Sequence, residues 1–296
     1  METYGEKKRR ILILLFIILS ILPIPAYSME AYEDIDYYQQ YQDLSLQEEI
    51  QVGNFDLSRG RAQKIPVLMY HHLLKEDEYY YDNNPAAITV EAFEEQMAYL
   101  HRHGFSTISL LELELFLRGK LDIPRRSIVI SFDDGYSSNY HYAYPILKKY
   151  GFNASIFLIT HRVENLPKPF TPASSVPIGW DQVVGGMDVF EYANHSHDLH
   201  RQNDEGVSYL LASPVDIVRR DLLLNRKMTR SDYFAYPYGE YNEVIVNLLK
   251  ELDFKLAFTT RRGYVKRGDS PFTLNRFAIL PKTRMMDFIR IVHGIG

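Results

Sequence analysis

Residues 127–136 read Ser-Ile-Val-Ile-Ser-Phe-Asp-Asp-Gly-Tyr, and the fold turns on this stretch. Ile128 to Ile130 is a β-branched run bounded by turn residues, the pattern of a strand buried on both faces. Such strands are typical of parallel sheets, whose chemistry collects just beyond the strands' C-terminal ends. Here the run stops at Asp133 and Asp134, followed by Gly135. Adjacent carboxylates repel each other unless a cation or a shared proton neutralises one of them. The same residues also suit a plain strand-to-loop turn in which one aspartate caps the next helix. Both readings stand until the rest of the chain is weighed.

Working outward, apolar runs and helical periods alternate. Ile65 to Tyr70 reads as the first strand, ending at His71-His72. Thr89 caps a helix running to Arg102 with Phe93, Met97 and Leu100 at core spacing, and Gly104 ends it. A strand at Phe105–Ile108 and a helix at Leu110–Leu117 precede the Ile128 strand. After it come a helix at Tyr140–Tyr150, a strand at Ala154–Ile159, and a strand at Asp188–Tyr192 leading into Asn194-His195-Ser196-His197-Asp198-Leu199-His200. A helix at Val215–Met228, a strand at Tyr233–Ala235 and a turn at Tyr236–Gly239 follow. The remainder reads as a helix at Asn242–Leu252, strands at Lys255–Thr259 and Leu274–Ile279, and a last helix from Met285. Strands separated by helices of this length predict an α/β fold whose parallel sheet closes into a barrel.

The N-terminus reads differently. Lys7, Lys8, Arg9 and Arg10 precede an apolar run from Ile11 to Leu22, and Pro23 to Ser28 supplies small residues suited to cleavage. The run is shorter than the ~20 residues of a membrane span. Residues 1–28 are therefore expected to be a signal peptide, with a membrane anchor through residues 11–26 as the alternative. Either way the chain is exported to the cell surface or beyond. Residues 29–63, rich in Tyr, Gln and acids, are expected to be a linker, and residues 64–296 the domain. The chain has 296 residues, 46% of them hydrophobic, enough for one large core. A net charge of −5 gives no sign of nucleic-acid binding, and the absence of cysteine excludes disulfides and thiolate metal sites.

His195 and His200 are five apart, which is not a same-face helical spacing, so a loop must present both rings. Two imidazoles and a carboxylate around a divalent ion is the donor set of a hydrolytic zinc site, the carboxylate coming from the Asp133–Asp134 pair. His197 reads as a neighbour of the site or as exposed, and Asp198 as a partner that orients a ligand histidine.

Taken together, SFDDGY, NHSHDLH and FAYPYGEYN resemble the polysaccharide deacetylases of the NodB-homology type, carbohydrate esterase family 4. IPVLMYHH at 65–72, the run from Phe132 to Thr160, and LNRFAI at 274–279 resemble the branch of poly-β-1,6-N-acetylglucosamine deacetylases. The likeness spans Ile65 to Ile291. It implies a distorted (β/α) barrel and a metal-dependent N-deacetylase acting on an N-acetylglucosamine polysaccharide. Asp133 matches the general base, and Asp134, His195 and His200 match the metal ligands, with zinc expected and cobalt or nickel as alternatives. His71 matches the general acid, and Pro237-Tyr238 the turn whose backbone N–H helps hold the oxyanion.

The chain departs from the family at Ala235, where many relatives carry an arginine. Arg276 is a candidate replacement from another strand, with a surface salt bridge as the other reading. His293 loosely matches the family's C-terminal Leu-x-His motif and ranks below His71. Tyr70, Trp180, Tyr236 and Tyr238 are candidates for a sugar-binding platform, or else for aromatic core. Peptidoglycan and chitooligosaccharides offer the same acetamide as poly-β-1,6-N-acetylglucosamine, so they remain alternative substrates. A non-catalytic glycan-binding wall protein is the alternative outside enzymes. A glycoside hydrolase fits least, because its two acids need a separation of about 5–9.5 Å and the histidines would have no role.

Overall fold

Seven parallel strands form a closed ring. They are β1 (Val67–Tyr70), β2 (Ser127–Phe132), β3 (Ala154–Leu158), β4 (Phe190–Asn194), β5 (Tyr233–Ala235), β6 (Leu256–Arg262) and β7 (Leu274–Ala278). Each pairs in parallel with the next, and β7 pairs with β1 to close the barrel. A short strand, Ser106–Thr107, lies outside the ring against β2. The computed structural model describes residues 52–81, 85–166, 169–172 and 175–295, all of which fall in one compact unit. The expected signal or anchor segment lies outside them. Among the described residues no helix is long and apolar enough to cross a membrane.

The helices are α1 (Val90–Arg102), α2 (Leu110–Leu117), α3 (Tyr144–Tyr150), α4 (Trp180–Gly185), α5 (Tyr209–Ala212), α6 (Val215–Thr229), α7 (Glu243–Glu251) and α8 (Met285–Val292). Thr89 caps α1 through Ala92 N–H, and Ser109 and Glu112 close a capping box on α2. The barrel interior is apolar where the strands begin. Val67, Val129, Phe157, Ala193, Ala235, Phe258 and Leu274 meet Leu110, Leu113, Phe116 and Leu117 of α2, which packs across the strands' N-terminal ends. Side chains alternate along a strand. The inward set therefore runs Val129–Ser131–Asp133 on β2, Glu191–Ala193–His195 on β4 and Leu274–Arg276 on β7. Apolar layers at one end thus give way to polar residues at the other.

Several boundaries differ from the sequence expectation, four of them with a structural consequence. The first strand breaks at Pro66, which has no N–H to give to a ladder. Lys64–Ile65 pairs instead with Val265–Lys266. The strand expected at 188–192 lies at Phe190–Asn194, its register set by pairing with β3. The helix expected from Tyr140 begins as a π-turn over Asn139–Ala143 and is regular only from Tyr144. The barrel's packed chain also reaches back beyond residue 64. Ala62 is buried, Phe55 packs on the barrel core, and Gly53 N–H donates to Glu112 at 2.7 Å.

Candidate active site

At the C-terminal mouth the chain turns sharply after β2. Asp133 N–H donates to Tyr70 O at 2.9 Å, and Asp134 then takes a left-handed φ of 72°. Gly135 follows at φ 71°, where a Cβ would lie 2.7 Å from Leu158 Cδ2, so only glycine fits. This turn sends the two carboxyls in different directions. Asp133 points into the barrel, and Asp134 points toward the loop after β4.

That loop presents both histidines. Asp134 Oδ1 lies 3.5 Å from His195 Nε2 and 3.3 Å from His200 Nε2. The three donor atoms all lie within 4.8 Å of one another, the single such cluster among the described residues. His195 Nδ1 sits 2.8 Å from Ala235 O, a contact that needs the proton on Nδ1 and turns Nε2 toward Asp134. Burial pulls His200 down to about 4, with neighbouring His195 adding to the effect, so His200 is neutral near pH 7. Burial raises Asp134, but His71, His195 and His200 outweigh it and hold the carboxyl below its ordinary range. Asp134 Oδ1 is itself buried with no hydrogen-bond partner. An orphaned carboxylate oxygen facing two imidazole nitrogens is the donor set of a divalent cation, and these residues fit one.

Asp133 is handled separately. Arg276, fully buried, donates from both terminal nitrogens to its two carboxylate oxygens at 2.7 Å each, and from Nε to Thr259 O at 3.0 Å. The guanidinium carbon lies 5.5 Å from the Phe157 ring centroid and 6.0 Å from that of Phe258. Burial pushes the Asp133 carboxyl up, but the Arg276 cation, then His195, overcome this and hold it well below the ordinary range. Asp133 is thus kept ionised, with His195 Nε2 4.0 Å from its Oδ2.

His71 continues the inward parity of Val67 and Met69. Its Nδ1 is buried without a hydrogen-bond partner, and its charge interaction reaches both aspartates. Asn139 donates to its backbone O at 2.7 Å. His72 points away, with Nδ1 2.8 Å from Ser138 Oγ and its ring 4.9 Å from that of Tyr136. Pro237 opens the turn after β5, and Tyr238 adopts a left-handed φ of 58°. The Tyr238 ring lies 4.5 Å from the His200 ring and is 41% exposed.

The other aromatic platform candidates belong to the core. Tyr70 is fully buried, donating to Gln96 at 2.7 Å and packing on Phe93. Tyr236 is fully buried, donating to Phe272 O at 3.0 Å and stacking on Tyr241. Trp180 is 3% exposed at the start of α4. None of the three offers a face to a ligand. His293 lies against Phe105 with Nε2 3.0 Å from Tyr99 Oη, beside the strands' N-terminal ends and far from the mouth. Asp198 pairs with Arg201 at 2.7 Å.

The loop is held by residues that sequence reading missed. Asp221 of α6 accepts from His197 N–H at 2.8 Å and Asp198 N–H at 2.7 Å. One turn on, Asn225 donates to Thr160 Oγ1 at 2.8 Å, which in turn meets His197 Nδ1 at 2.9 Å. The available signal was a polar pair at i, i+4 set on the same helix as buried Val218 and Leu222.

Residues 120–257 match the family model for polysaccharide deacetylase. These residues thus carry a polysaccharide-deacetylase (NodB-type) family-model domain, which is consistent with an amide hydrolase. YxkH of Bacillus subtilis (strain 168) is 27% identical over 223 residues, 74% of this chain and 72% of that protein. The poly-beta-1,6-N-acetyl-D-glucosamine N-deacetylase of Staphylococcus aureus (strain MSSA476) is 27% identical over 199 residues, 65% of this chain and 68% of the relative. Among solved structures, IcaB from Ammonifex degensii has the same fold, with a TM-score of 0.66 and 24% identity over 80% of this chain and 99% of that one.

Proposed function

We propose that the chain is a metal-dependent N-deacetylase acting on an exported or cell-surface polysaccharide of N-acetylglucosamine, with the poly-β-1,6-linked polymer as the favoured substrate. The observation that carries this reading is the division of labour between neighbouring carboxylates. Asp134 faces two imidazoles, while Asp133 is paired with its own buried cation. The poly-β-1,6 preference rests on the Staphylococcus aureus relative and on the branch motifs at 65–72 and 274–279. Export is supported by the basic and apolar run of residues 7–22.

Asp134, His195 and His200 would hold the ion, which when bound acts as a Lewis acid and makes water nucleophilic near neutral pH. Zinc suits this donor set, and cobalt or nickel would also fit. The chain's own residues do the rest. Asp133 takes the proton of the attacking water as its oxygen adds to the acetamide carbon. The Tyr238 backbone N–H faces the developing oxyanion, a contribution worth roughly 3 kcal/mol at such sites. His71 gives its proton to the sugar nitrogen as the carbon–nitrogen bond breaks, leaving acetate and a free amine. The exposed Tyr238 ring would stack on a sugar.

The test is acetate release from oligomers of β-1,6-linked N-acetylglucosamine, chitooligosaccharide and peptidoglycan strands, with and without a chelator. Release from the first, abolished by chelation and restored by zinc, is expected. Release that ignores the chelator would refute the reading, and polymer binding without release would identify a glycan-binding protein.

A further inference from the structure

At the end of the barrel opposite the mouth lies a cavity of about 750 Å³ lined by Phe55, Arg59, Phe105, Arg125, Arg126 and His293. Its walls come from the segment leading into the barrel, the approach to β2, and the end of α8. The six residues of β2 separate Arg126 from Asp133, a span of roughly 20 Å. Three arginines, each of them exposed, thus line one cavity in a chain whose formal net charge is −5.

The nearby acids do not neutralise them. Asp122 is taken by two other arginines, Arg61 at 3.0 Å and Arg267 at 2.5 Å. Asp56 lies on the cavity wall, but its oxygens accept from Ser58 N–H at 2.9 Å and Ser58 Oγ at 3.0 Å, and Arg59 acts on it only through longer-range charge. Arg126 donates to His103 O, which is no counter-ion. Among the described residues no carboxylate forms an ion pair with Arg59, Arg125 or Arg126. Solvent screens much of the repulsion between these exposed charges, and an anion bridging them would gain from all three.

We propose that this cavity is a second binding site, for a phosphate-bearing anion. A single carboxylate ligand would leave most of this positive charge unbalanced. Phosphate carries more charge and more acceptor oxygens, and the planar fork of arginine matches its geometry. The volume is in the range of small-molecule sites. With Phe55 and Phe105 in the wall, it leaves room for the organic part of an ester. The phosphate could belong to a soluble ester or to the headgroups of an anionic lipid surface. The site is independent of the deacetylase reading, because it shares no residue with the mouth.

The test uses the full chain in two arms. Calorimetric titration with inorganic phosphate and glycerol 3-phosphate reads the soluble source. Flotation with phosphatidylglycerol vesicles against phosphatidylcholine vesicles reads the lipid source, the neutral vesicles correcting for the apolar run at 11–22. The triple variant Arg59→Gln, Arg125→Gln, Arg126→Gln should weaken binding by roughly tenfold or more, while Arg61→Gln, paired just outside the cavity, should leave it unchanged. The corresponding lysine triple variant should retain part of the binding, which separates loss of charge from loss of fold. Binding in the soluble arm alone assigns a soluble ester, and a vesicle preference alone assigns the membrane. Binding in neither arm overturns the site, and so does an equal loss in Arg61→Gln, which would mean bulk surface charge.

Discussion

Replacing Arg276 by methionine tests the electrostatic core of the site. The substitution keeps much of the side chain's length and removes both 2.7 Å bonds to Asp133, whose carboxylate is 2% exposed as a residue and has no other cation in bonding contact. Removing one partner of a buried pair costs about 3–5 kcal/mol, because the other charge is left uncompensated. At 1.4 kcal/mol per factor of ten, this is roughly a hundredfold to a few thousandfold in the unfolding constant. It is a large share of the ~5–15 kcal/mol that holds a domain together. The double variant Arg276→Met, Asp133→Asn carries no buried charge at this place, so it should be more stable than the single one. Urea denaturation of chelator-stripped protein measures this, with Trp180, the chain's one tryptophan and 3% exposed, as the fluorescent reporter. Arg276→Lys should fall between, because an ammonium cannot span both oxygens. A single variant within about 1 kcal/mol of wild type would refute the argument, since that is the median of an exposed pair. So would a double variant no more stable than the single.

Asp134→Asn and His195→Ala should lose zinc in equilibrium dialysis, whereas Asp133→Asn should retain zinc and lose acetate release. Asp221→Ala frees the two N–H groups that shape the histidine loop, so zinc affinity should fall about tenfold or more by competitive chelation, with turnover recovered at saturating zinc. Glu191 is pushed up to about 7 by burial, with its carboxyl accepting from Ser155 and Leu110 N–H. Its unfolded value is near 4.5, so between these pH values the folded state binds more protons. Stability should therefore fall as pH rises from about 4.5 to about 7. Glu191→Gln should flatten that slope in denaturation midpoints measured across the range.

The order of elements was legible because short strand-like runs such as Ile128–Ile130 and Ala154–Ile159 alternate with longer segments that carry a buried helical stripe. Helix α2 and strand β5 lie at the residues their patterns mark, Leu110–Leu117 and Tyr233–Ala235. The candidate metal donors were legible from their types, since His195 and His200 follow a strand and Asp134 follows another. What pattern cannot supply is which side of a closed barrel an aromatic faces. Tyr70, Trp180 and Tyr236 read equally well as platform or core, and only the packed fold separates them from Tyr238. Asp221 was hidden for a related reason. An acid within an amphipathic helix looks like part of the solvated face until the helix is docked on its loop.

The arginine missing at Ala235 shows how closure of the ring decides what sequence distance means. Asp133 and Arg276 are 143 residues apart, yet β7 pairs with β1 and β1 with β2, so both side chains enter one interior at one level. Within that volume a cation can reach the carboxylate from any strand with an inward residue in the same layer. Ala235 is free to be small because its neighbours Phe157 and Phe258 fill the space beside it, while its carbonyl orients His195. Those same two rings flank the Arg276 guanidinium. An arginine at 235 would have to displace the packing that now positions the arginine at 276. Arg276 therefore balances the carboxylate's charge while position 235 holds an alanine.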